Sequence, residues 1–341
     1  MRKFTKIVCA AMSVVFAAAA FTGCGSQPPV SGSSAPSNSP TLSGLISEKP
    51  KIGIVQLVEH PSLDTIREAC LAKLAELGYK DGENCTIDYK NAGGDATMSN
   101  TIVQNFSGDP KDIIVAIATP TAQAAATVSD KIPVIFSAVS YPIEAELVQS
   151  LEHPGGNITG TSDEIQVELI LELAMKYNPD LKKLGVIYNT GEANSVTNLA
   201  KAKAFCESHN IELVEAVATN TNEVPTAAQV LCSKVDAVFA PNDNTVASAM
   251  PALAQAAISA GIPVYTGADS MVLGDENGEG GGGFATIGIN YEDLGKETAV
   301  MVDQVLRGAK AGDIPVKVFK DNLNTIYNEE TAKALGIEIQ K

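Results

Sequence analysis

The sequence has no tryptophan and only three histidines, at positions 60, 153 and 209. The histidines lie far apart, and no CxxC pair or Cys/His cluster occurs, so we expect no metal site. A G-x-S-x-G nucleophile motif is also absent, and we can locate no carboxylate pair of the glycosidase type. These absences argue against an enzyme, and we predict neither a catalytic residue nor a cofactor.

Basic residues are scarce relative to acidic ones, with 24 Lys and Arg against 40 Asp and Glu and a formal net charge of -16. A chain of this charge is not expected to bind nucleic acid or an anionic lipid surface. The acidity favours solubility and does not identify a ligand.

Long apolar runs are equally rare. One run, residues 7–21, follows three basic residues and precedes Thr22-Gly23-Cys24. This order predicts a lipoprotein signal peptide at 1–23, with Cys24 as the lipidation site. The run falls short of the roughly 20 residues of a membrane-spanning helix, and no later run is long enough. The alternative is ordinary cleavage that leaves a spare cysteine.

Residues 24–49 are rich in Ser, Pro, Gly and Asn and contain few apolar side chains. Such a segment cannot bury a core, so we predict a disordered tether. Acyl chains on Cys24 would anchor the protein to the outer face of the cell membrane.

Four further cysteines stand at widely spaced positions: Cys70, Cys85, Cys206 and Cys232. Two disulfides are one alternative for an exported protein. Three of the four lie on apolar helical patterns, so we favour buried free thiols.

From residue 51 onward, short runs rich in Val and Ile alternate with segments of helical periodicity. The predicted strands are 52–55, 85–89, 113–117, 134–136, 184–188, 211–214, 237–240 and 264–266. The predicted helices are 64–77, 121–128, 166–175, 194–208, 224–232 and 245–260. This alternation is typical of an α/β protein with parallel sheets covered on both faces.

The folded part, about 290 residues, exceeds what one core usually serves, and the pattern restarts after a turn-rich break at 154–157. We therefore predict two Rossmann-like lobes with parallel central sheets joined by a multi-strand hinge. The first comprises 50–158 plus 286–314, and the second comprises 159–285 plus 315–341.

The late elements define the expected crossings between these lobes. A strand at 285–290 and a helix at 291–306 should return to the first lobe. A strand at 316–319 and a helix at 329–335 should then finish the second. Several crossings of this kind favour closure as a rigid-body motion.

In open α/β sheets a ligand lies beyond the carboxyl ends of the strands. In the first lobe those loops carry His60, then Thr119 and Thr121, then Ser137 and Ser140. Hydroxyls and free N–H groups at helix starts can hold a carboxylate without a cation. The alternatives are helix capping for the hydroxyls and a surface position for the histidine.

The corresponding loops of the second lobe are 189–195, 241–245 and 266–270. Asp243 and Asp269 have no basic neighbour in sequence, so each could accept hydrogen bonds from a ligand ammonium group. Neutral donors for a carboxylate together with an acid for an amine suit a zwitterion. An amino acid is therefore the leading ligand class.

Several ordered motifs resemble one known family. They are IIVAIATPTAQ at 113–123, IPVIFSAVSYP at 132–142, PGGNITG at 154–160, LGVIYNTGEANS at 184–195 and VDAVFAPNDNT at 235–245. Together they resemble the ABC transporter substrate-binding protein family of Firmicute lipoproteins that includes tryptophan and tyrosine binders. The resemblance extends from about residue 51 to residue 341.

This resemblance implies a type I periplasmic-binding-protein fold, with the ligand enclosed between the lobes of a monomer. It implies an ABC permease and its ATPase as partners. By the same analogy, the two hydroxyl loops of the first lobe would hold the carboxylate, and Asn194 and Ser195 would close from the second. Asp243 and Asp269 would face the amine, with Asp269 at the position where amino-acid binders of this fold place an acid.

Members of the family differ in ligand. Because tryptophan is absent, stacking on an aromatic ligand would depend on Tyr141, Tyr188 or Phe136. We expect aromatic amino acids first and branched aliphatic ones second. A sensor that presents its ligand to a receptor would share this fold and pocket, and an exported hydrolase or transferase is the remaining alternative.

Overall fold

The structure is a computed structural model that describes residues 44–320 and 323–340. These residues belong to one compact unit. None of their helices combines the length and the apolar character needed to cross a bilayer. The predicted signal peptide, Cys24 and most of the predicted tether lie outside the described residues.

The first of two six-stranded sheets has the strand order β11-β5-β4-β3-β1-β2, and its strands pair in parallel. Its strands are β1 (Lys51–Gln56), β2 (Thr86–Asn91), β3 (Ile113–Ile117), β4 (Val134–Ser137), β5 (Ile158–Ser162) and β11 (Lys317–Val318).

The second sheet has the order β12-β10-β9-β8-β6-β7 and is parallel except for the antiparallel pair of β10 and β12. Its strands are β6 (Lys183–Tyr188), β7 (Glu212–Val217), β8 (Ala237–Ala240), β9 (Val264–Thr266), β10 (Ala285–Gly288) and β12 (Asn324–Tyr327).

Helices cover both faces of each sheet. They are α1 (Pro61–Glu76), α2 (Ala96–Gly108), α3 (Thr119–Ala126), α4 (Val167–Tyr177), α5 (Ala193–His209), α6 (Val224–Cys232), α7 (Asn244–Ser248), α8 (Met250–Ala260), α9 (Ser270–Leu273), α10 (Tyr291–Leu306) and α11 (Glu329–Leu335).

The central strands are buried along their whole length because both of their faces pack against helices. Every residue of β3 and of β8 is buried. In β1, Ile52 and Ile54 join one apolar cluster, and Val55 joins the cluster on the opposite face. The predicted α/β class with two parallel-dominated sheets is confirmed.

Two strand placements expected from the sequence are wrong. The strand β10 was expected in the first lobe, but it pairs with β9 of the second sheet. It does so because Phe284 and Ala285 bury completely in the second core. Conversely, β11 pairs with β5 of the first sheet, where Val316 joins the first core. The lobe boundaries themselves stay a prediction.

Two helices also differ from expectation. The segment 245–260 was predicted as one helix, but it is divided between α7 and α8 at Ala249. Pro251 explains the break because proline has no N–H to donate and is tolerated only in the first turn of a helix. The helix α2 was not predicted, although Asp95 caps it by accepting from the N–H groups of Thr97 and Met98.

The predicted tether ends earlier than residue 49. Leu45 packs against the apolar core, and the N–H of Ile46 donates to the carbonyl of Leu306 over 2.9 Å. These contacts hold residues 45 and 46 on the folded unit, at the end of α10.

The cysteine thiols match the preferred interpretation of the sequence. Cys70, Cys85, Cys206 and Cys232 are all free and buried. Burial raises the pKa of the Cys206 and Cys232 thiols to about 11. Buried protonated thiols of this kind are chemically inert.

Candidate functional site

A cleft lies where the carboxyl ends of strands from both sheets meet. Its cavity volume is about 20 Å³, far below the roughly 300–1,000 Å³ that is typical of small-molecule sites, so its walls lie close together in this arrangement. The residues that line it are His60, Ser62, Leu63, Ala138, Ser140, Asp163, Asn194, Asn242, Asp243, Asn244, Ala247, Ala268, Met271 and Tyr291. No lysine or arginine is among these lining residues.

A buried carboxylate, Asp163, organises the polar side of the cleft. It accepts hydrogen bonds from Ser140 Oγ at 2.8 Å, from Asn242 Nδ2 at 2.9 Å and from the Tyr291 hydroxyl at 3.2 Å. Burial raises the pKa of this carboxyl, while the three hydrogen bonds oppose that rise. Because Asp163 follows β5 and Asn242 follows β8, these bonds connect loops of the two sheets.

A chain of amides continues from Asn242 into the second sheet's helix α5. Asn198 Nδ2 donates to Asn242 Oδ1 at 2.8 Å, and Asn194 Nδ2 donates to the Asn242 carbonyl at 3.1 Å. The Tyr141 hydroxyl of the first lobe donates to Asn198 Oδ1 at 2.6 Å. Tyr141 thus lies behind the cleft and supports its wall.

His60 occupies the opposite wall, at the start of α1. Its Nε2 lies 3.2 Å from Asn244 Oδ1, and the residue is only 7% exposed. The amide group of Asn244 donates to Glu192, which also accepts from the N–H and hydroxyl of Thr245 at 3.1 Å each. Burial lowers the pKa of His60 and so favours the neutral form of the imidazole.

Asp243 lines the cleft, but its carboxyl oxygens accept hydrogen bonds from loops and helices of the second sheet. They accept from Asn189 N at 2.7 Å, from Ser195 Oγ at 2.7 Å and from Val246 N at 2.9 Å. Burial raises the pKa of Asp243 and of the adjacent Glu192, the latter to about 8. The predicted Ser195 therefore orients Asp243 and does not itself line the cleft.

Asp269 lies beside the cleft. It borders a neighbouring groove of about 300 Å³ that it shares with Ser62, Ser270 and Tyr291. One carboxyl oxygen accepts from the N–H of Ser270 at 2.8 Å, and burial raises its pKa. A contact between Asp269 and a ligand amine remains a prediction.

Three predicted hydroxyls are buried away from the cleft. Thr121 Oγ1 donates to the Ile117 carbonyl at 2.6 Å, which is a helix-start contact. Ser137 Oγ lies 2.7 Å from Thr298 Oγ1. Thr119 is buried as well and is not among the residues that line the cleft. Their expected role in holding a ligand carboxylate also remains a prediction.

The apolar side of the cleft is formed by Leu63, Met271 and three alanines, with Tyr291 as the aromatic residue. Of the aromatic residues proposed for stacking, Phe136 is fully buried in the first core. The Tyr188 hydroxyl donates to Glu215 at 2.8 Å. Neither residue lines the cleft.

The structure thus brings four predicted residues to one cleft: His60, Ser140, Asn194 and Asp243. Sequence reasoning missed Asp163, Tyr291 and the role of Asn242. No strand was predicted directly after the break at 154–157, so the position of Asp163 at the end of β5 went unnoticed. Asn242 lies inside the loop 241–245 that the sequence had already indicated.

The sequence model of the family described as "ABC transporter substrate binding protein" matches residues 51–341. A tyrosine-binding protein of Clostridioides difficile strain R20291 is 39% identical over 339 residues, which is 99% of this chain and 94% of that protein.

Solved structures give the same result. The L-Trp complex of an ABC domain from Streptococcus pneumonia has a TM-score of 0.80 and 38% identity, and the match covers 86% of this chain and 96% of that one. A ligand-free, open substrate-binding protein from Clostridium difficile has a TM-score of 0.62 and 40% identity, with 85% and 96% covered.

A more distant structure, a solute-binding protein from Bacillus halodurans with bound myo-inositol, has a TM-score of 0.62 at 16% identity, with 85% of this chain and 99% of that one covered. At that identity the match speaks for the fold alone. The expected type I periplasmic-binding-protein fold is confirmed. The chain belongs to the ABC transporter substrate-binding protein family.

Proposed function

We propose that this protein captures an amino acid, preferably an aromatic one, in the cleft between its two sheets and delivers it to an ABC permease driven by an ATPase. The observation that carries the proposal is the division of the cleft into a polar wall around Asp163 and an apolar wall around Met271. The polar wall suits the charged end of an amino acid. Methionine adapts its shape to a ligand and makes favourable contacts with aromatic rings.

The relatives support this ligand class because one is named for tyrosine and another holds L-Trp. Their conformations support a closing cleft as well. The L-Trp complex and the open, ligand-free protein are nearly equally identical to this chain, at 38% and 40%, yet their TM-scores are 0.80 and 0.62. The arrangement described here is thus nearer to the liganded relative, which supports hinge closure between the two lobes around the ligand.

The ligand contacts we propose come from His60, Ser140, Asn194, Asp163 and Tyr291, with Asp243 as part of the wall. Cleavage after residue 23 and acylation of Cys24 would place the mature monomer on the outer face of the cell membrane. No enzymatic activity is proposed. A sensor that presents its ligand to a receptor would use the same cleft, and genomic adjacency to permease and ATPase genes would separate the two roles.

Isothermal titration calorimetry of the purified protein against all the proteinogenic amino acids, and against a set of sugars and other uncharged solutes, tests this function. We expect at least one ligand of about micromolar affinity, with one site per chain and with tyrosine or tryptophan ranked above leucine and isoleucine. A response confined to sugars or other uncharged solutes would reject the amino-acid assignment. Binding only of aliphatic amino acids would reject the aromatic preference and leave the ligand class standing.

A further inference from the structure

Among the described residues, two buried side-chain atoms have no hydrogen-bond partner: His60 Nδ1 and Asn194 Oδ1. Both residues line the cleft. His60 is only 7% exposed and Asn194 only 4% exposed. A buried polar atom without a hydrogen-bond partner destabilises the folded protein, because it has lost its contact with water. The coincidence of both atoms at one cleft therefore indicates a polar ligand group that satisfies them.

The hydrogen bonds around Asn194 identify its free atom as an acceptor. The Asn242 carbonyl can only accept, so the Asn194 atom at 3.1 Å from it must be the amide nitrogen. The remaining atom, Oδ1, is then a carbonyl oxygen with free lone pairs. It requires a donor from the ligand.

The free nitrogen of His60 is also an acceptor. Asn244 directs its amide nitrogen to Glu192, so its oxygen faces His60 Nε2, which must donate. Burial lowers the pKa of the ring and favours the neutral form, in which the other nitrogen carries a lone pair. His60 Nδ1 thus requires a donor as well.

The charges around the cleft also favour a ligand group that donates hydrogen bonds and carries a positive charge. Asp163 and Asp243 are buried in the lining, and the lining includes no lysine or arginine to balance them. An ammonium group offers three donors and a positive charge, so it complements acceptors in a negative environment. A carboxylate would meet the same acceptors without a cation.

We propose that the ammonium group of the ligand dominates recognition, bound by Asn194 Oδ1 and His60 Nδ1 in the field of Asp163, and that its carboxylate contributes less. This inference rests on the proposed function, since it assigns the amino end of the proposed ligand to these atoms. The cleft then tolerates amines that lack a carboxylate and rejects ligands whose nitrogen is acylated.

Calorimetry with modified ligands tests the inference. The probes are L-tyrosine, tyramine and N-acetyl-L-tyrosine, with the corresponding tryptophan series in parallel. We expect N-acetylation to weaken binding by about 100-fold or more, because buried acceptors are left unpaired. Loss of the carboxylate should weaken it by about tenfold or less.

The opposite order, with the decarboxylated amine losing more affinity than the N-acetyl derivative, would overturn the inference and leave the proposed function intact. Binding of the amines without binding of any amino acid would support the inference and reject the proposed function. No response to amino acids or amines would reject both.

Variants of Asn194 test whether this residue binds the ammonium group of the ligand. Asn194→Ala should weaken both L-tyrosine and tyramine by about 10- to 100-fold, since a charge-assisted hydrogen bond is lost, and should leave the weak N-acetyl derivative unaffected. Asn194→Asp keeps an acceptor for the ligand but loses the donor to the Asn242 carbonyl, so it should bind L-tyrosine and tyramine more tightly than Asn194→Ala does. The control is Asn105→Ala, an exposed asparagine on α2. Equal losses for all three ligands in Asn194→Ala would contradict a contact with the ammonium group.

Discussion

Asn242 Nδ2 donates to Asp163 Oδ2 over 2.9 Å and so joins the loop after β8 of the second sheet to the segment after β5 of the first. The same amide nitrogen donates to Ser140 Oγ at 2.9 Å, and the amide oxygen accepts from Asn198 at 2.8 Å. One buried asparagine therefore holds polar groups of both sheets together. This contact couples the chemistry of the cleft to the closed arrangement.

Asn242→Ala should favour the open arrangement, because it removes these hydrogen bonds between the sheets. We expect ligand affinity to fall by about tenfold or more, as each lost bond is worth about 1 kcal/mol. Small-angle X-ray scattering of the unliganded variant should show a larger radius of gyration than the unsubstituted protein. Asn105→Ala serves as the control. Unchanged affinity together with an unchanged radius would show that Asn242 does not hold the closed state.

Asp163→Ala and Asp269→Ala separate two candidate acidic contacts. Asp163 accepts from Ser140, Asn242 and Tyr291, and it lines the cleft, whereas Asp269 borders the neighbouring groove. We expect Asp163→Ala to weaken amino-acid binding by about 100-fold, because a buried charge partner is removed. The contact implied by family resemblance predicts a loss of about tenfold or more for Asp269→Ala. Calorimetry on both variants ranks the two carboxylates, and a larger loss for Asp269→Ala would reverse the assignment made here.

Glu192→Gln should change how stability depends on pH. Burial and the neighbouring Asp243 raise the pKa of Glu192 in the folded protein from 4.5 to about 8. The folded state therefore binds this proton more tightly than the unfolded state, so the stabilisation is fully present below pH 4.5 and is lost as pH rises through about 8.

The check on this prediction is the thermal unfolding midpoint of both proteins across the range from pH 5 to pH 9. The difference between them should change with pH in the sense that the unsubstituted protein loses more stability toward alkaline pH. Glu276→Gln, at an exposed glutamate, is the control and should run parallel to the unsubstituted protein. If Glu192→Gln also runs parallel, the folded carboxyl titrates near its ordinary pKa.

Gly160→Ala should destabilise the first sheet. Gly160 of β5 is paired with Phe136 of β4, and an added Cβ would overlap the Phe136 carbonyl oxygen. We expect the free energy of unfolding in urea to fall by about 3 kcal/mol, the upper range for overpacking. Gly108→Ala is a matched control because no heavy atom lies within 4 Å of its added Cβ. Equal stability of the two variants would show that the strands separate at little cost.

Sequence periodicity predicted those helices and strands whose apolar residues recur in a regular pattern. The apolar runs of β3 and β8 are central strands, and α10 spans the predicted residues 291–306. Because parallel strands end at one edge of a sheet, the loops that follow them could be named in advance. Four of the residues chosen from those loops, His60, Ser140, Asn194 and Asp243, do line one cleft.

The strand β5 shows where such reasoning stops. Its sequence, ITGTS, reads as a polar turn, yet all five residues are buried. Thr159 Oγ1 donates to the carbonyl of Ile314 at 2.7 Å, and Thr161 Oγ1 lies 3.1 Å from Thr298 Oγ1. These partners are more than a hundred residues away, so no local pattern could reveal that the hydroxyls are satisfied inside the core. Asp163, at the end of this strand, was missed for the same reason.

The sequence by itself determined the alternation of strands and helices, the α/β class and the loops from which a site could be built, because those follow from local periodicity. Only the tertiary structure decided which carboxylates face the cleft, and it made Asp243 a partner of Ser195 while it placed Asp163 against Asn242. It also exchanged β10 and β11 between the sheets. These choices depend on pairing between distant segments, where burial and hydrogen bonding are settled jointly by residues that are not neighbours in the chain.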